Sequence, residues 1–552
     1  MGSGGSAPRR PSTARAIAGH AGRILLIASS TQLAPGILAL SLDLLEAPGS
    51  RESITALAFV ALSSFVVAFV GALRSLRSSI ACALFLSWVI GASLSGALSR
   101  VSTCFLAVGT STLLAGLTLT RLERGRREPG TREAILVVVL TWFLVPPISA
   151  LPAWLALRMP FVDLWFESVS GFTTTGFTIF DGGVDHAGVR VPRVEELHPA
   201  LILWRAFAQW VGGLGIVVLS LVLFTRPGLA VVRLAEAETR LERIGLSVRA
   251  TLREMLKLYA VITVIALLAL TAAGLRGLDS LALALAGVAT GGFSTSSNSV
   301  QSIASAEVLS ALIIAMVLGA SNFNDLHRAV SERRSPLASP ELKAMAVIIA
   351  LWTPVGAAIL WSHGRGSMWD SLEASLFHVV SALTTTGFQS MDLSSAPVPF
   401  KALLLPLMIS GGSVFSTAGG IKLMRVLILA RAALEEAAGL ERPPGLLRSM
   451  RLGRYEFAES EIMRAAVVLA LYLGLALAGY IYAVIRLAES APTFDLLFDV
   501  VSASCNVGLS AGVIGSGLPV DLKVLLGLIF TAGRLEVLPL LYIAGSATRR
   551  RI

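Results

Sequence analysis

Charge is what this sequence has least of. Of its 552 residues only 14% are Asp, Glu, Lys or Arg, against roughly 25% in a soluble domain. That shortfall excludes an ordinary water-facing surface over most of the chain and makes lipid the solvent. Cysteine is scarce as well. Cys82, Cys104 and Cys505 lie within or beside apolar segments, which excludes a disulfide framework and a thiolate metal site. They read as small packing residues. The sequence also lacks an HExxH pair, clustered metal ligands and a phosphate-cradling glycine loop. Enzyme chemistry of those kinds has no residues to run on. The linkers are too short to hold a soluble nucleotide-binding domain.

Apolar runs are what the chain has in quantity, since 55% of its residues are hydrophobic. A helix of about 20 apolar residues spans the hydrocarbon core. About twelve segments qualify: 23–46, 54–73, 79–98, 103–120, 135–157, 200–224, 258–274, 307–324, 342–362, 402–433 (broken), 464–487 and 521–545. The net charge of +10 suggests nucleic acid at first, but placement decides otherwise. Arg and Lys gather in Arg121 to Arg132, Arg226 to Lys257, Arg328 to Lys343, Arg425 to Arg464 and Arg549–Arg551. These stretches alternate with loops poorer in both residues. That is the positive-inside pattern, and it puts both termini in the cytoplasm.

Several apolar stretches are too short to span and run into polar, glycine-containing sequence. Aligned on one glycine they repeat: DLWFESVSGFTTTGF from Asp163, DSLALALAGVATGGF from Asp279, ASLFHVVSALTTTGF from Ala374 and DLLFDVVSASCNVGL from Asp495. Asp163, Asp279 and Asp495 each stand thirteen residues before Gly176, Gly292 and Gly508, while the third copy has Asp370 and Glu373 slightly upstream. Phe166, Phe377 and Phe498 share one register, and Ser170, Ser381 and Ser502 another. One such run is an ordinary interhelical loop; four in register are a repeat, which must be settled before any local reading.

Each unit reads as a short helix of about three turns whose early acid suits the positive end of the helix dipole. The small and hydroxylated residues that follow leave backbone carbonyls free. In a membrane such carbonyls must line a cavity or find partners. Four carbonyl-lined strands around an axis can replace an ion's hydration shell. The negative ends of the helices favour a cation nearby, and glycine permits the backbone turn.

At these residues the chain resembles the Trk/Ktr/HKT superfamily of potassium transporters, closest to the bacterial Trk membrane subunit. The resemblance covers about residues 135–548. It rests on SGFTTTGF at Ser170–Phe177, WRAFAQWVGGLGIVVL at Trp204–Leu219, TGGFST at Thr290–Thr295, SALTTTGF at Ser381–Phe388, GGSVFSTAGGIK at Gly411–Lys422, NVGLSAG at Asn506–Gly512 and GRLEVLPLL at Gly533–Leu541.

The resemblance implies an all-α polytopic membrane protein. Four helix–pore-loop–helix repeats would stand in pseudo-fourfold array around one pore, preceded by about four N-terminal transmembrane helices, two more than the family pattern. The expected divisions are 1–125 for those helices, then repeats at 126–225, 226–330, 331–435 and 436–552.

It further implies a potassium-binding filter at Thr174, Thr175, Gly176, Thr290, Gly291, Gly292, Thr385, Thr386, Gly387, Asn506, Val507 and Gly508. A glycine in every repeat implies potassium over sodium. Potassium is then the transported ion, with no organic cofactor in the chain. Gly411, Gly412, Ser413, Val414, Phe415, Ser416, Thr417, Ala418, Gly419 and Gly420 interrupt a span and are expected to form an intramembrane gate, with Lys422 and Arg534 as intramembrane cations beside it. The alternative for this stretch is a tight crossing through small residues. Arg205 could be structural or functional, and His378 is expected to be a hydrogen-bonded packing residue. The expected partners are membrane lipid, a second copy of the chain and a separate cytosolic nucleotide-binding ring, for which the basic linkers 225–257 and 434–460 are candidate docking segments. Inner-membrane potassium uptake is the expected function; ion-coupled secondary transport is the alternative.

Overall fold

The computed structural model describes residues 13–46, 99–122, 131–224, 248–333, 335, 339–439, 450–452 and 455–536. The expected spans at 54–73 and 79–98, Cys82, the tail beyond 536 and the linker stretches 123–130, 225–247 and 440–449 lie outside the described residues. The described helices are α1 Thr13–Glu46, α2 Arg100–Leu122, α3 Thr131–Leu157, α4 Phe161–Phe172, α5 Pro199–Phe224, α6 Val248–Ala272, α7 Gly277–Val288, α8 Ala306–Ala320, α9 Phe323–Ser331 and α10 Pro340–Ser362. They continue with α11 Met368–Leu383, α12 Val398–Ser410, α13 Leu423–Gly439, α14 Glu459–Leu487, α15 Thr493–Ser504 and α16 Val520–Arg534. The fold is that of a polytopic helical membrane protein with four helix–pore-loop–helix repeats. Among the described residues, six helices are long and apolar enough to cross a membrane, or seven if α8 and α9, bent by 100° at their junction, count as one span. One departure from an all-α reading is a hairpin between β1 Met450–Leu452 and β2 Tyr455–Phe457 inside the last basic linker.

The chain divides into two compact units. The first comprises Met1–Trp165 with His198–Trp204, and the second Phe166–Leu197 with Arg205–Ile552. In the first, α1 and α2 approach through small residues. A Cβ on Gly22 would stand 2.7 Å from the Gly116 carbonyl oxygen, and one on Gly109 would stand 2.9 Å from the Leu33 side chain. Such contact is how helices associate where apolar burial gives little net gain. Helix α3 carries Pro146, Pro147 and Pro152. Pro152 cannot donate to the Ile148 carbonyl four residues back, and Gln32 of α1 supplies the missing bond at 2.7 Å. Lipid offers no substitute donor. Ser149, beside it, accepts from the Trp204 indole at 3.0 Å and pairs with Thr31 at 2.9 Å.

The second unit holds the four polar strands, while Phe161–Trp165 at the start of α4 belong to the first. The short helices α4, α7, α11 and α15 precede the four polar strands, and each has Asp as its third residue: Asp163, Asp279, Asp370 and Asp495. The third repeat's acid is out of register because α11 has 16 residues where the others have 12. The extra turn carries Asp370 upstream with the helix start. There Ser367 and Asp370 form a reciprocal capping box at 3.2 and 2.9 Å. Phe166, Phe377 and Phe498 are fully buried.

Candidate functional site

The four short helices end in one way. Two residues past the helix, Thr174, Thr290, Thr385 and Asn506 have φ of 50°, 50°, 53° and 54°. Their N–H groups reach back to Gly171, Gly287, Ala382 and Ala503 at 3.0–3.2 Å, and the next residues reach Ser170, Ala286, Ser381 and Ser502 at 2.8–2.9 Å. This crossed pair of bonds is the Schellman termination, whose left-handed position is usually glycine and sometimes asparagine. Repeat four conforms with Asn506. The other three place β-branched threonine there, a rare and strained choice.

The four aligned glycines follow two residues later. Gly176, Gly292, Gly387 and Gly508 have φ of 91°, 78°, 86° and 87°, a region that L side chains enter only at a cost. Space excludes a side chain as well. A Cβ on Gly176 would collide with the Gly291 carbonyl oxygen, one on Gly292 with that of Thr386, one on Gly387 with that of Val507, and one on Gly508 with that of Thr175. Each strand abuts the next in a single rotational sense and the fourth closes on the first. The twelve filter residues expected from sequence therefore come together in one ring.

Side chains brace the ring. Ser170 and Ser381 donate to the Phe177 and Phe388 carbonyls at 2.6 and 2.9 Å, and Ser502 accepts from the Gly508 N–H at 3.0 Å. Thr173 pairs with Thr175 at 2.7 Å, and Thr384 with Thr386 at 2.8 Å. Asn506 donates to the Thr175 hydroxyl at 2.8 Å, tying quadrant four to quadrant one. Repeat two has Ala286 where the others have serine, and Gln209 of α5 compensates. Its amide donates to the Gly291 carbonyl at 2.5 Å and accepts from the Phe293 N–H at 3.1 Å. A cavity of about 410 Å³ opens at the glycine end of the ring. Gly176, Gly292, Gly387 and Gly508 line it, together with Asp181, Asp392, Gln389 and Arg205.

Residues 411–420 lie at the opposite end. Gly419 donates to the Thr385 hydroxyl at 2.6 Å and Gly420 to the Cys505 carbonyl at 3.0 Å. Thr417 lies 3.3 Å from the Thr290 hydroxyl and 2.9 Å from the Val288 carbonyl. The stretch thus touches the base of quadrants two, three and four. On its other side it grips the α8–α9 junction: Ser413 N–H to Ala320, Thr417 N–H to Gly319, and Phe323 N–H to Phe415, at 2.9–3.2 Å. Glu341, at the start of α10, accepts the Val414 N–H at 2.9 Å and the Asn322 amide at 3.3 Å. Val414 and Phe415 are buried, and Phe415 has a φ of 55°.

Both expected cations reach this segment. Lys422 donates to the Ala418 carbonyl. Arg534 donates to the Thr417 carbonyl at 2.8 Å. Glu536 pairs instead with Arg425 at 2.5 Å, because positions two apart do not share a helix face. His378 donates from Nδ1 to the Ala374 carbonyl of its own helix at 2.7 Å and packs edge-on against Phe377 and Phe400. Among the described residues no three His, Cys, Asp or Glu cluster as metal ligands.

Two successive stretches of the chain, 103–338 and 337–547, match the family model described as TrkH, cation transport protein. The chain belongs to the TrkH family. An uncharacterised cation transporter of Methanocaldococcus jannaschii is 30% identical over 79% of this chain and 87% of its own length. The Trk system potassium uptake protein TrkH of Salmonella typhimurium is 29% identical over 75% and 86%. TrkG of Escherichia coli, also a Trk system potassium uptake protein, is 28% identical over 74% and 84%. The crystal structure of the potassium transporter TrkH from Vibrio parahaemolyticus has the same fold, with a TM-score of 0.69 at 24% identity over 84% of this chain and 96% of that one. A TrkH-family chain is a transport protein of the membrane, not an enzyme. Sequence reasoning missed Gln209, Glu341 and Asn322, whose partners lie on other repeats or across the bent junction. Gln209 alone left a local signal, its polarity within an apolar helix.

Proposed function

We propose that this chain carries potassium ions across the cytoplasmic membrane through the four-strand ring, and that residues 411–420, with Lys422 and Arg534, gate it. The observation that carries the reading is the closure of four equivalent, strained, glycine-bearing turns into one ring. A backbone held so firmly is suited to replacing a cation's water. The potassium uptake named for several relatives supports potassium as the cargo. The positive-inside pattern puts the termini and the gate side in the cytoplasm, so the cavity with Asp181 and Asp392 faces outward and draws cations in. The division into repeats at 126–225, 226–330, 331–435 and 436–552 follows from this reading. By family resemblance, the assembly is a homodimer governed by a separate cytosolic nucleotide-binding ring. Proteoliposome currents test the proposal. Reversal at the potassium Nernst potential, without a proton or sodium gradient, is expected; dependence on such a gradient would mean coupled symport instead.

A further inference from the structure

Nine residues before the filter glycine, the four repeats carry Glu167, Leu283, His378 and Asp499. Asp499 holds its own strand just beyond the filter, accepting from the Ala511, Val513 and Ile514 N–H groups and the Ser510 hydroxyl at 2.5–3.1 Å. Glu167 does the same for quadrant one, accepting from the Thr178 hydroxyl and the Ile179 N–H at 2.9 Å each. It has one more partner. The Nε of Arg205 donates to Glu167 at 2.6 Å, and both side chains are buried. Another nitrogen of the same guanidinium donates to the Ser294 carbonyl at 2.9 Å, and the group lies 4.2 Å from the centre of the Phe293 ring. Phe293 and Ser294 directly follow Gly292, in the repeat where Leu283 replaces the acid. The pair therefore runs from the exit of quadrant one to the exit of quadrant two.

A buried ion pair is poor evidence for stability, because desolvation offsets most of the attraction and an apolar pair often serves as well. A planar fork whose nitrogens diverge to two strands supplies geometry, which an apolar pair or a lysine does not reproduce. We propose that Glu167 and Arg205 are positioning residues for selectivity: they fix the spacing of the first and second filter strands at the cavity end, and with it the cation size the ring prefers. This rests on the filter reading given above.

The test is the ratio of sodium to potassium flux per folded molecule in proteoliposomes. It compares the full-length chain with Arg205→Lys, Glu167→Gln and Phe293→Leu, the last removing only the ring face, and with the double change Glu167→Leu plus Arg205→Met, which leaves no buried charge alone. The proposal expects the ratio to rise by roughly three- to tenfold in the charge variants, the double included, and about twofold in Phe293→Leu. A folded variant set that keeps the unaltered ratio overturns it, since a merely structural role changes yield and not discrimination. Failure of every variant to fold also overturns it, by assigning the pair to stability. If the unaltered chain shows no potassium preference, the filter reading fails first; if it is selective and the variants match it, only the clamp fails.

Discussion

The filter ring and the 411–420 segment meet at Thr385, Thr290 and Cys505, yet they are held in different ways. Every filter strand is fixed by two backbone bonds to its own helix, repeated in all four copies within a few tenths of an ångström. The segment below exists once. Its N–H groups and carbonyls bond to distant elements, to the side chains of Glu341, Thr385 and Arg534 and to the backbone of Gly319, Ala320, Phe323 and Cys505. Bonds within one turn cannot be exchanged without unmaking that turn. Bonds to separate elements can be released as those elements shift. On the proposed reading, the contrast separates a part that must not move from a part that gates.

The filter side of this contrast breaks most severely at a glycine. Gly387→Ala forces a left-handed residue, at about 1–2 kcal/mol, and drives its Cβ into the Val507 carbonyl. Potassium flux in proteoliposomes should fall by about tenfold or more, while size-exclusion behaviour stays close to that of the unaltered protein. On the gate side the sign should reverse. Arg534→Ala removes a charge-assisted bond of about 1.5–3 kcal/mol, and potassium flux should rise roughly tenfold. Deleting 411–417 should raise it too, and no rise in either would remove the gate assignment. Glu341→Gln retains an acceptor for Val414 but loses its charge. A smaller rise, about two- to fivefold, is expected in the same assay.

The mildest effect sits in the loops on the cavity side. Burial would raise the Glu195 carboxyl, but the Ser296 and Ser297 donors outweigh it and hold it below its ordinary value. Glu195 accepts from the Ser296 hydroxyl at 2.6 Å and the Ser297 N–H at 2.8 Å. Because the folded pKa is the lower one, this contribution is present above the unfolded value of about 4.3 and is lost as pH falls through the folded value. Melting curves between neutral and acid pH should show a slightly smaller acid loss in Glu195→Gln than in the unaltered protein.

Much of the ring was legible in the sequence. Its four glycines, three of the early acids and three register serines recur at fixed spacing, and fixed spacing is what a repeated local turn leaves in a chain. The broken span was legible too, since lipid does not tolerate a run of four glycines and three hydroxyl residues without partners. The partners themselves were not. Glu341 meets Val414 across 73 positions and Arg425 meets Glu536 across 111, and no periodicity records such pairings. Nor did the register show that α11 is one turn longer than its counterparts. The strain at Thr174, Thr290 and Thr385 was also hidden, because threonine there looks like any polar loop residue until its φ is known.

Flux of potassium, rubidium, sodium and lithium through the reconstituted chain and its Gly176→Ser variant tests the central claim most directly. The account predicts potassium and rubidium well ahead of sodium and lithium in the unaltered chain. It also predicts a clear rise in the sodium-to-potassium ratio when serine pushes against the Gly291 carbonyl. An unchanged ratio would contradict it.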